Sequence, residues 1–129
     1  MPYVHLVIAL ALLEFMLFGV AVARARVRYN VPAPATGGHA VFERYFRVQM
    51  NTLELLVVLI PALPLFAWYV SPRWAAGLGG VYLVGRFLYF FTYLKDPATR
   101  SAGFGLSFLP IVALLLGGIG GAIAALLKS

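Results

Sequence analysis

The chain has 129 residues, 63% of them hydrophobic and 11% charged, with ten Lys and Arg against four Asp and Glu. A mean hydropathy of +0.94 is too apolar for a water-soluble domain of this length, so most of the surface must face a bilayer. The basic residues lie between apolar runs, where they act as topology signals and not as a nucleic-acid platform. With no cysteine, disulfides, thiolate metal sites and a cysteine nucleophile are excluded.

A hydrocarbon core of about 30 Å takes roughly 20 helical residues. Four stretches reach that length, at about 3–23, 48–70, 74–94 and 104–127. They predict one all-α integral membrane domain over 1–129, an up-down bundle of four transmembrane helices joined by one long, one tight and one intermediate connection. The first stretch has no basic leader and no small-residue cleavage site, so it reads as a retained span. Its single acid, Glu14, has two readings. It is either a protonated or paired carboxyl packed at a helix interface, or the lone acid of a small multidrug-type, proton-coupled transporter.

A connection rich in Pro and Gly, Arg24–Val41, leads to "FERYFRVQMNTLE" at 42–54, where the second helix extends beyond the membrane to about residue 41. At 100° per residue, Glu43, Arg47, Asn51 and Glu54 share an arc of about 80°. Gln49 leaves that face and calls for a different neighbour, conceivably a helix of another subunit. Pro61 and Pro64 predict a kink. After a turn at Ser71–Pro72–Arg73, the third span places Tyr82, Arg86, Tyr89 and Tyr93 within about 60° of one another. An arginine two turns inside the membrane needs an acid or a ligand. Glu54 is the carboxylate at comparable depth on that side, so an Arg86–Glu54 contact is expected. The loop Lys95–Gly103 carries Arg100, and the fourth span holds Gly117 and Gly121 at the spacing that lets helices approach closely.

Arg24, Arg26, Arg28, Arg44, Arg47, Lys95 and Arg100 all fall beside the first and third connections. That side is expected to be cytoplasmic, with both termini opposite, and residue usage favours a bacterial inner membrane. Arginines gathered around one acid suit a small polyanion bearing an amine, such as a peptide-like anion. Other chemistries lack support. His5 and His39 are far apart and without further ligands for a metal, the serines have no histidine–acid partners, and "GFGLSFLP" follows no strand.

The segments "ARVRYNV" (25–31), "FERYFRVQMNTLE" (42–54) and "GRFLYFFTY" (85–93), with Arg100, resemble the MAPEG family, the membrane-associated proteins in eicosanoid and glutathione metabolism. The resemblance implies a homotrimer that takes glutathione as co-substrate between adjacent subunits near the cytosolic face, with no metal. It assigns Arg47, Asn51, Glu54, Tyr89, Tyr93 and Arg100 to one subunit's glutathione contacts and Arg26 and Gln49 to its neighbour's; Arg86 joins them through the polar stripe. Arg100 is implied as the cation that favours the thiolate. The implied activity is a membrane glutathione transferase, with peroxidase activity on hydroperoxides as a companion. A non-catalytic, lipid-presenting member is the alternative within the family. Val27 and Leu55 depart from leukotriene C4 synthase, which has an arginine and a tyrosine there.

Overall fold

The computed structural model describes all residues from Met1 to Ser129 and consists of four long helices. α1 spans Pro2–Tyr29, α2 Ala40–Tyr69, α3 Pro72–Lys95 and α4 Ser101–Lys128, with one 3-10 turn at Pro97–Thr99 before α4. Each is long and apolar enough to cross a membrane. Leu6, Met16, Val57, Trp68, Leu109 and Leu116 are among many large apolar side chains exposed on the outer surface. That pattern inverts the rule for a water-soluble bundle and suits lipid contact.

The helix ends follow from local chemistry. Asn30 closes α1 in the left-handed region (φ 55°, ψ 50°), and its amide donates to the Arg26 carbonyl. His39 caps α2 by accepting from the Val41 amide at 3.1 Å and stacks on Tyr29 at 4.2 Å. The histidine is thus a helix cap. Ser71 caps α3 through the Trp74 amide at 3.3 Å, and Pro72 occupies the first helical position, where its missing N–H costs nothing. The tight turn therefore shrinks to Val70–Ser71, with Arg73 already helical. α2 remains one continuous helix through Pro61 and Pro64.

α2 and α3 form the central pair, and each packs against both α1 and α4. The main apolar core joins Val4, Val7 and Ala11 of α1, Leu55 to Ala67 of α2, Ala75 and Tyr82 of α3, and Ile111 and Leu114 of α4. Small residues set the helix spacing. Gly117 and Gly121 receive Phe66 and Tyr69 of α2, so this glycine pair serves a contact inside the chain. At the α3–α4 crossing the glycines are Gly85 and Gly103. A methyl group on Gly85 would sit 2.7 Å from the Leu106 backbone, and one on Gly103 would overlap the backbone of Tyr89. The two backbones consequently meet where α3 carries Arg86 and α4 carries Ser107.

Gly85→Ala should lower stability by about 1–3 kcal/mol through overpacking. Gly77→Ala, where nothing lies within 4 Å, should raise it by about 0.5–1 kcal/mol through helix propensity. Thermal unfolding of the two variants in detergent reads the contrast.

Candidate functional site

Arg86 is the centre of the polar face, and it is completely buried. The α3–α4 crossing places Ser107 Oγ 2.8 Å from Arg86 Nε. From α2, Asn51 Oδ1 accepts from Nη1 at 2.7 Å and Thr52 Oγ1 accepts from the same nitrogen at 3.2 Å. The two hydroxyls are pre-aimed. Thr52 donates its proton to the Val48 carbonyl at 2.8 Å, and Ser107 donates to the Gly103 carbonyl at 2.7 Å. Each hydroxyl therefore turns its lone pairs toward the guanidinium, which has donors only.

The tyrosines extend this cluster along α3. The guanidinium carbon of Arg86 lies 4.3 Å from the Tyr89 ring centroid, a cation–π distance, and Tyr89 stacks on Tyr93 at 5.3 Å. Both rings are buried against Phe18 of α1 and Val48 of α2. Arg47 and Arg100 are exposed, but Arg47 adjoins Val48, which packs with both rings, and Arg100 lies just ahead of Gly103, which abuts Tyr89. Arg47, Asn51, Tyr89, Tyr93 and Arg100 are thus gathered at one end of α2–α4.

Glu54 is not the partner of Arg86. It is exposed on the outer surface of α2, and every acceptor that Arg86 uses is neutral. The wheel gave the correct direction for Asn51, but Asn51 reaches the guanidinium first and Glu54 points past the bundle edge. The buried acid at this level of the bundle is instead Glu14 of α1, set beside Leu83 and Phe87, the α3 residues adjoining Tyr82 and Arg86. Gln49 leaves the stripe to lie over Gly19 of α1, its Nε2 filling the space of the missing side chain at 2.8 Å. Arg26 folds back on the connection, donating to the Ala35 carbonyl at 2.7 Å and the Val31 carbonyl at 3.3 Å, with Phe42 stacked beneath it. Arg44 ties α2 to the end of α3 by donating to the Leu94 carbonyl at 3.0 Å.

Two cavities lie away from Arg47, Asn51, Glu54, Arg86, Tyr89, Tyr93 and Arg100. One, of about 580 Å³, lies beside Arg24, Arg28, Tyr29, Tyr45 and Phe90; the other, of about 150 Å³, is an apolar crevice beside Glu14. Arg47, Glu54 and Arg100 thus present charge on the outside of a single chain. Thr52 and Ser107 are the site residues that sequence pattern missed. Ser107 is an isolated polar group in an apolar helix, and its isolation was the available signal.

The chain matches the MAPEG family profile over residues 4–120. It is 44% identical over 114 residues to an uncharacterized protein of Synechocystis sp., covering 88% of this chain and 83% of that one. It is 43% identical over 105 residues to microsomal glutathione S-transferase 2 of Homo sapiens, covering 80% and 71%. Against leukotriene C4 synthase of Cavia porcellus the identity is 35% over 85 residues, covering 66% of this chain and 57% of the synthase.

Ser107→Ala leaves the buried Arg86 Nε–H without its acceptor and should cost about 1–3 kcal/mol of stability. Ser107→Thr, which keeps the hydroxyl, should recover part of it. Unfolding midpoints of the two variants check the assignment.

Proposed function

The chain belongs to the MAPEG family, and from that premise we propose that it is a membrane-bound glutathione transferase with its tripeptide site between subunits of a homotrimer. The observation that carries the reading is the split character of the polar face. Arg86, Tyr89 and Tyr93 are locked inside the bundle, whereas Arg47, Glu54 and Arg100 face outward beside them. Glu54 faces outward inside the apolar belt, with Arg47 and Arg100 at the belt's edge; a carboxylate there needs a cover, and a second copy supplies one. In that arrangement Arg47, Asn51, Glu54, Tyr89, Tyr93 and Arg100 of one subunit contact glutathione, with Arg26 and Gln49 contributed by the next.

The roles follow from chemistry. Arginines pair with the two carboxylates of the tripeptide, bidentately where geometry allows, and Glu54 accepts from its ammonium. Arg100 stands beside the thiol and favours the thiolate, which is the nucleophile. The sulfur then displaces a leaving group from a lipophilic electrophile in the bilayer. The leaving group departs with the bonding electrons, and the thiol proton passes to water. With a hydroperoxide, two glutathiones supply two electrons, giving an alcohol, water and glutathione disulfide. The substitutions at Val27 and Leu55 favour general detoxification over a dedicated leukotriene synthase. The positive side of the bundle faces the cytoplasm of a bacterial inner membrane, with both termini opposite. Against the transporter reading stand the clustering of polar groups at one end of α2 and α3 and the apolar crevice beside Glu14.

Titration of the purified protein with glutathione, followed by conjugation of a chlorodinitrobenzene, tests the proposal. Absence of binding would sink it, and binding without conjugation would favour the non-catalytic alternative. Arg100→Ala should lower kcat on the order of 10²-fold while glutathione affinity falls less than tenfold. Equal losses would make Arg100 a binding residue only.

A further inference from the structure

The buried side-chain atoms without any hydrogen-bond partner are few, and they lie on two helices that pack together, α1 and α3. They are both carboxyl oxygens of Glu14, the hydroxyl of Tyr82 and Nη2 of Arg86. The three residues are 2%, 0% and 0% exposed. Tyr82 and Arg86 are one turn apart on α3, and the guanidinium lies 6.0 Å from the Tyr82 ring centroid. Glu14 faces them from α1, one turn from Phe18, which stacks on Phe90 of α3 at 4.7 Å.

Unpaired polar groups at this depth are costly, and a guanidinium surrounded by neutral acceptors is costlier still. The donor and acceptor sets are complementary: Nη2 offers two N–H groups, Tyr82 one O–H, and Glu14 two empty oxygens. Glu14 has no polar alternative on its other side, because the crevice there is lined by Leu10, Leu13, Leu17, Leu83 and Phe87. The remaining acids are Glu43, Glu54 and Asp96; Glu54 and Asp96 are exposed, and Glu43 sits in the first turn of α2 near Gly38.

We propose that Glu14 is the counter-charge of Arg86, linked to it and to Tyr82 through a buried water, and that it acts as a positioning residue for glutathione binding. The link to the site is short. Arg86 holds Asn51 through Nη1 and stacks on Tyr89, so a guanidinium released from Glu14 shifts both. This inference rests on the glutathione reading above for its functional half; the Glu14–Arg86 link itself does not.

The purified protein carrying Glu14→Leu should bind glutathione at least tenfold more weakly, with KM rising in step and kcat changing less than threefold. Glu14→Gln, which still accepts from that water but lacks charge, should recover part of the affinity. In an Arg86→Met background, Glu14→Leu should cause no further loss. A Glu14→Leu dissociation constant within twofold of the parent, or an equal loss in both backgrounds, would overturn the positioning role. The parent, Glu14→Leu, Arg86→Met and the double variant are melted without glutathione. Drops in unfolding temperature that are less than additive support the Glu14–Arg86 link, and additive drops overturn it. Failure of the parent chain to bind glutathione would remove the positioning role together with the proposed function, while the melting cycle still decides the link.

Discussion

The structure depends on housing one guanidinium where water does not reach. Arg86 sits at the junction of three helices, and its hydrogen bonds to Ser107, Asn51 and Thr52 tie α3 to both α4 and α2. Apolar packing gives the bundle its bulk, but between membrane helices it discriminates poorly, because lipid tails are as apolar as leucine. A buried, directional donor is different. Only the register that brings Ser107 and Asn51 to Arg86 satisfies it, so the arginine fixes how α2, α3 and α4 slide against one another. Gly85 and Gly103 belong to the same device, since a side chain at either would hold α4 too far away for the 2.8 Å contact.

The parts legible in the sequence were those with periodicity or length behind them. Four apolar runs gave the four helices, and of the stripes at 43–54 and 82–93 the structure joins Asn51 to Arg86 while leaving Arg47 and Glu54 exposed. The partner of Arg86 was misread because helical geometry gives azimuth and not reach. Asn51 and Glu54 lie in the same arc, and which of them meets the arginine depends on how far α2 is rotated against α3. Ser107 left no periodic trace, being one hydroxyl in an apolar helix. The engagement of Arg26 with Val31 and Ala35 depends on how the Pro-rich connection folds back, which local propensity does not specify. Gln49 was correctly read as leaving the stripe, yet its neighbour within the chain is α1 at Gly19.

The same architecture separates two tasks that a single membrane surface would otherwise confuse. Hydrogen bonds and stacking hold the inner layer, Arg86, Tyr89 and Tyr93, so those groups lose little freedom when a ligand arrives. The outer layer, Arg47, Glu54 and Arg100, stays uncommitted: none of these side chains makes a hydrogen bond within the chain. A rigid aromatic and guanidinium floor beneath unspent charges is suited to an anionic ligand, because the floor supplies shape and the charges supply attraction. Asn51 joins the layers, being half-buried on α2 between exposed Arg47 and Glu54 while its amide oxygen is taken by Arg86. With Oδ1 committed inward, its NH₂ group is left to donate outward, so the buried cation dictates which end of the amide a ligand meets. The arginine that sets helix register thereby also sets the polarity of the surface above it.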